Sequence, residues 1–130
     1  MTEVLSVRQA IAIHRTEYLA LALILVGVAI VGKDQLGWVF WLFLMAPDLF
    51  GLLPASFMGR APARGYLPRR GVWLYNVWHS FTPPLVIGVA VMLLIPFGSP
   101  WPLLGWAVHI SVDRFLGFGL RGDDGGQALF

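Results

Sequence analysis

Residues 38–57 read WVFWLFLMAPDLFGLLPASF, twenty residues with one charge, Asp48, placed directly after Pro47. Twenty residues is the length an α-helix needs to cross a hydrocarbon core of about 30 Å. A carboxylate in such a stretch costs at least about 2.5 kcal/mol to insert. The segment therefore predicts a membrane-crossing helix that keeps one polar residue for a reason. Pro47 has no N–H and frees the carbonyl of Phe43 from its helical bond. Irregular backbone of that kind is tolerated at membrane depth where it is buried in protein or lines water.

Three further apolar stretches flank this one, at about 11–31, 72–97 and 101–120. The first is strictly apolar from Tyr18 to Val31, and its lower third carries His14, Arg15 and Glu17. Val31-Gly32-Lys33-Asp34 offers no small-x-small cleavage site, so the stretch reads as a retained helix rather than a signal peptide. The whole chain agrees with these local readings. Of 130 residues, 58% are hydrophobic and 12% charged, against about 25% charged in soluble chains, and the mean hydropathy is +0.74. Disorder, a coiled coil and a nucleic-acid module are excluded. With no Cys, disulfides, thiolate metal sites, iron–sulfur clusters and thiol nucleophiles are excluded too. The expected architecture is all-α: a single transmembrane domain over residues 1–130, folded as an integral membrane four-helix bundle.

The connections set its orientation. Arg60, Arg64, Arg69 and Arg70 lie in the loop at 58–70, with Arg8, Arg15 and Arg121 near the termini, against Lys33 alone on the other side. The positive-inside bias then puts both termini and the long loop in the cytoplasm. The pI near 9.5 needs no nucleic acid, because these arginines sit at membrane boundaries, where anionic headgroups are the expected partners of the loop at 58–70. Trp38, Trp41, Trp73, Trp78, Trp101 and Trp106 fall mostly within two turns of a span end, as an interfacial aromatic belt does.

The residues that carry chemistry are the ionisable ones inside the spans: Glu17, Asp48, His79, His109, Asp113 and Arg114. Measured from the cytoplasmic end of each span at about 1.5 Å per residue, Glu17, Asp48, His79, His109 and Asp113 fall at depths of roughly 9 to 16 Å, one layer across four helices. His109 and Asp113 share a helix face, extended by Gly105 and Gly117, and Asp48 aligns with Gly51 and Ala55. Small residues beside polar ones let membrane helices approach closely. A polar pocket in the cytoplasmic half of the bundle follows, with Pro83-Pro84 interrupting the third span just above His79.

Imidazoles and carboxylates together suit zinc, or iron and manganese where carboxylates dominate. Asp48, His79, His109 and Asp113 form the expected metal set, with Glu17 at the rim as the candidate catalytic proton acceptor. The competing reading is a structural polar network in which Arg114 neutralises Asp113 or Asp48 and the histidines bond to Tyr75 and Asn76.

Ala46-Pro47-Asp48-Leu49, Tyr75-Asn76-x-x-His79, the Arg15-x-Glu17 start of the first span and the closing His109-Ile110-x-x-Asp113-Arg114-x-x-Gly117-x-Gly119-Leu120 together resemble an uncharacterised bacterial membrane family, domain of unknown function 4260. The resemblance runs from Glu17 to Arg121. The family often has Tyr where this chain has Phe118 and Lys where it has Arg121. It implies a small four-span protein of the bacterial cytoplasmic (inner) membrane and assigns no activity. A fainter likeness to small membrane-bound metal-dependent hydrolases rests only on intramembrane His and Asp.

Three functions remain open from the sequence. One is a membrane-embedded metal enzyme hydrolysing a lipid-linked or other amphipathic substrate. Another is an accessory subunit of a larger membrane complex or homo-oligomer, binding haem or a chlorophyll-type pigment through His79 or His109. The last is a small proton-coupled exporter. Ser56, Ser80 and Ser111 lack a His–Asp relay at recognisable spacing, the glycines near the C-terminus form no phosphate loop, and Asp123-Asp124-Gly125-Gly126 reads as a solvated, flexible end.

Overall fold

The computed structural model describes residues 6–128, whose regular secondary structure is all helical; the connections and the tail after Leu116 are irregular, with one isolated antiparallel bridge between Arg121 and Gln127. Helix α1 spans Val7–Val31, beginning four residues before the expected start. Ser6 supplies the reason: its hydroxyl accepts from the Gln9 N–H at 3.3 Å while the Gln9 side chain accepts from the Ser6 N–H at 2.8 Å, a reciprocal cap.

The decisive stretch forms one rod in three pieces, α2 (Gly37–Ala46), a π-helical turn (Pro47–Leu52) and α3 (Leu53–Ser56). The π turn begins at Pro47, the residue without an N–H, and Leu53 donates to the Asp48 carbonyl five residues back. Such one-residue bulges recur at functional sites, and this one carries Asp48.

The third stretch is broken. Helix α4 (Val72–Trp78) and α5 (Thr82–Leu94) meet at a bend of 43° across His79, Ser80 and Phe81. The carbonyls exposed by the break find partners on α6 (Leu104–Leu116): Trp106 Nε1 donates to Trp78 O at 2.7 Å, and Arg114 donates to His79 O at 3.4 Å.

Val7–Val31 and Gly37–Ser56 are each long and apolar enough to cross a bilayer, and the bent α4–α5 pair makes a third such segment if it is one span. Helix α6 differs from the expected fourth span at 101–120. Its 13 residues reach about 20 Å at 1.5 Å per residue, short of the hydrocarbon core. Gly117 ends it: at φ +98° it closes a Schellman turn, with Phe118 N–H donating to Asp113 O at 2.8 Å and Gly117 N–H to Arg114 O at 3.3 Å. Gly117 therefore terminates the helix instead of extending its small-residue stripe.

Large side chains face outward and small ones inward. On α1 the buried residues are Ala22 and Ala29, while Leu23, Ile24 and Ile30 are about two-thirds exposed, a distribution that suits lipid tails and not water. Helix α6 lies at the centre, packed on α1 and α2. A Cβ at Gly105 would run into the main-chain carbonyl of Phe40, and one at Gly51 would stand 2.6 Å from Cβ of Trp78. These two glycines let α2 meet α6 and the π turn meet α4.

Two expectations are corrected. Trp106 is buried, with its ring stacked on that of Trp78 at 4.7 Å, so this pair belongs to the interior and not to a belt, whereas Trp38, Trp41, Trp73 and Trp101 are exposed. The tail is docked. Leu67 N–H donates to Gly125 O at 3.0 Å, Arg121 reaches Gly65 O at 2.7 Å, and Gly125 and Gly126 are buried. Asp124 accepts from the Gly126 N–H at 2.9 Å and Gly125 takes φ +88°, which together turn the chain back.

Candidate metal centre

Four side chains converge from three directions: Asp48 from the π turn, His79 from the end of α4, and His109 with Asp113 one turn apart on α6. One ligand atom from each lies within 4.8 Å of the other three. His79 Nε2 stands 3.4 Å from Asp48 and 3.5 Å from Asp113, and His109 Nε2 stands 3.5 Å and 3.2 Å from the same two carboxylates.

The other nitrogen of each ring decides what these contacts are. His79 Nδ1 lies 2.9 Å from Tyr75 O and His109 Nδ1 lies 2.7 Å from Leu44 O. A main-chain carbonyl only accepts, so each Nδ1 carries a proton, and in the neutral ring Nε2 is then the atom that presents a lone pair inward. This orientation, with Nδ1–H held by a carbonyl, is the usual one for metal-ligating imidazole.

Were the rings doubly protonated, Nε2–H would bond to carboxylate at about 2.7–2.9 Å. The separations are longer, and both Nε2 atoms are buried without a hydrogen-bond partner. No Lys or Arg forms an ion pair with Asp48 or Asp113 among the described residues. With neutral rings, four electron-pair donors face one another, and neither Nε2 has a hydrogen bond of ordinary geometry, an arrangement that is costly to bury and suited to a cation. In a tetrahedral site the ligand–ligand edge is roughly 1.6 times the bond length, hence about 3.4 Å for zinc bonds near 2.0–2.1 Å, and the four His–Asp edges bracket that figure. His79 is 4% and His109 11% exposed, whereas Asp48 is 45% exposed, so the group opens to the surface of the molecule on the Asp48 side.

The remaining expected residues serve elsewhere. Tyr75 holds His79 through its main-chain carbonyl and by stacking its ring at 3.9 Å. Asn76 turns away and exchanges two hydrogen bonds with the main chain of Arg121, at 2.7 and 2.9 Å. Arg114 touches neither aspartate. Its guanidinium donates to Tyr18 OH at 2.7 Å and lies 5.1 Å from the Phe81 ring centre. Glu17 is exposed on α1 and stands outside the converging group. Tyr18, its neighbour, is the α1 residue that reaches the site's supports; in the sequence it only opens the strictly apolar part of the first stretch, with nothing to mark its hydroxyl as a partner of Arg114.

Fold and site together define an all-helical chain with helices of membrane-crossing length, arranged around a metal-capable group of two histidines and two aspartates. Residues 11–128 match the family described as domain of unknown function 4260. The chain belongs to that family. No curated protein and no solved structure matches it.

Proposed function

We propose that this chain is a small multi-span protein of the bacterial inner membrane that binds a divalent metal ion through Asp48, His79, His109 and Asp113, and that it acts as a metal-dependent hydrolase on an amphipathic substrate. The observation that carries the metal is the pair of buried Nε2 lone pairs aimed at two unpaired carboxylates. A divalent ion held there supplies Lewis-acid polarisation of an ester or phosphoester oxygen. The protein's own part is to fix the tautomers through Tyr75 and Leu44 and to leave the Asp48 side open to a substrate. Exposed Arg60, Arg64, Arg69 and Arg70 on the loop at 58–70 suit contact with anionic headgroups on the same reading.

An ion fits this geometry better than a haem or chlorophyll-type macrocycle. Each Nε2 already faces carboxylate oxygens at 3.2–3.5 Å, and the two imidazole centres are 5.5 Å apart, which leaves no open face above either nitrogen for a flat ring. Elemental analysis of the detergent-purified protein tests the assignment: about one zinc, iron or manganese per chain is expected. A preparation free of transition metal that also takes up none on titration at neutral pH would end it, and a visible absorption band would favour the pigment.

A further inference from the structure

Next to Asp113, where α6 meets the start of α1, lies a cavity of about 380 Å³ whose polar lining is His14, Arg15, Arg114 and Gln127. Two guanidiniums line it, one from α1 and one from α6. Arg15 is anchored by its Nε, which donates to Phe115 O at 2.6 Å. Arg114 is anchored by Tyr18 OH and by the carbonyl of His79, itself a member of the tetrad, and its Nε is buried with no partner. Every partner of these two cations is electrically neutral: no carboxylate lies within ion-pair distance of either among the described residues. A guanidinium offers five donors in a fork that matches carboxylate and phosphate oxygens, and among the described residues only three hydrogen bonds use those of Arg15 and Arg114.

The charges of the two neighbouring sites add up informatively. Two aspartates and a divalent ion cancel, and the two imidazoles are neutral. Among the described residues Arg15 and Arg114 are then left without a carboxylate partner next to the metal-capable group, Arg114 half-buried, where an unpaired charge is costly, and Arg15 exposed at the cavity's edge. We infer that this cavity binds the phosphate or carboxylate group of an anionic ligand, with Arg15 and Arg114 as its two cationic contacts, and that the substrate handled at the adjacent centre is an anionic amphiphile. The second clause rests on the proposed metal-dependent activity. The first does not, since the cavity is formed by protein groups alone.

The test uses full-length protein in neutral detergent, stripped of metal with chelator so that an ion at the tetrad contributes nothing. Binding is measured by calorimetry for three probes: inorganic phosphate, dihexanoyl phosphatidic acid below its critical micelle concentration, and dihexanoyl phosphatidylcholine. Saturable binding of phosphatidic acid with at least tenfold weaker phosphate binding assigns a lipid headgroup. Equal binding of the two assigns the phosphate group alone. The zwitterionic lipid is expected to bind at least tenfold more weakly than phosphatidic acid. Arg15→Gln, at an exposed position, is expected to weaken the preferred probe tenfold or more. Arg114→Lys, which keeps the charge and loses the fork, is expected to weaken it at least threefold. Absence of saturable binding by either anion, a zwitterion bound as well as phosphatidic acid, or wild-type affinity in Arg15→Gln overturns the site. Because metal content is measured separately, a missing anion site and a missing metal site give different results.

Discussion

Asn76 and His79 are three residues apart at the end of α4, and both are met by groups from the C-terminal third of the chain, yet they end in opposite states. The Asn76 amide exchanges a donor and an acceptor with the main chain of Arg121, at 2.9 and 2.7 Å, and each atom is satisfied. His79 is satisfied on one nitrogen only. Its Nε2 is buried, unbonded, and faces carboxylates. The contrast separates two uses of intramembrane polar groups. Complementary donors and acceptors lock one segment to another, whereas a set of groups that are all acceptors is what the proposed metal ion would hold together. Cost alone does not distinguish them, because both are expensive to bury unpaired. The sign of the groups does.

The largest effect expected from this contrast concerns metal content. His79→Ala and His109→Ala each lower bound zinc, iron or manganese from about one ion per chain to a tenth or less, as loss of one of four ligands does, while Asn76→Ala keeps the ion. Elemental analysis of the three variants side by side decides it. Equal loss in Asn76→Ala would erase the distinction between the two regions.

Stability gives the next largest. If the ion saturates the site at 100 to 1,000 times its dissociation constant, chelation removes about 3–4 kcal/mol, read as a lower unfolding midpoint in detergent. In His109→Ala the same chelator changes nothing. A midpoint that falls equally in wild type and variant means that the chelator acts elsewhere. Asn76→Ala behaves in the reverse manner: it leaves the N–H and carbonyl of Arg121 without partners and costs about 1–3 kcal/mol, with or without chelator.

Much of this was legible in the chain, and the reason is the bilayer. At 38–57 one acid in an apolar run is conspicuous, so Asp48, His79, His109 and Asp113 could be picked out by their cost alone, and they do meet. The helical class and the interruption of the third stretch followed from hydropathy and from Pro83-Pro84. What failed was local. Glu17 satisfied the same cost argument, but helical phase turns it outward and brings Tyr18 inward, and depth along a span carries no information about rotation. Asn76 and Arg114 were polar residues of the expected network whose partners lie up to 96 residues away in sequence, beyond the reach of any spacing rule. The docked tail was missed because Asp-Asp-Gly-Gly has the composition of a loose end. The turn that folds it needs only one Asp oxygen and one glycine at positive φ, which two glycines and two acids do not advertise.

Arg114 stands between the two regions of the comparison and supports the smallest prediction. Like Asn76 it joins distant segments, linking α1 to the break after α4 through Tyr18 OH and His79 O. Like His79 it keeps a buried nitrogen without a partner. Tyr18→Phe removes one acceptor while retaining the ring that lies parallel to Phe81 at 6.2 Å. Treated as a purely architectural bond, the hydroxyl is worth about 0.5–1.5 kcal/mol, seen as a small fall in unfolding midpoint with metal content unchanged. If the guanidinium instead helps to fix the position of His79 through its carbonyl, the same substitution also weakens metal affinity, measurable as a shift in competition against a chelator of known strength. Fixed affinity with reduced stability places Arg114 with Asn76. Reduced affinity places it among the groups that shape the metal centre, since second-layer contacts of that kind alter affinity by about 10–100-fold.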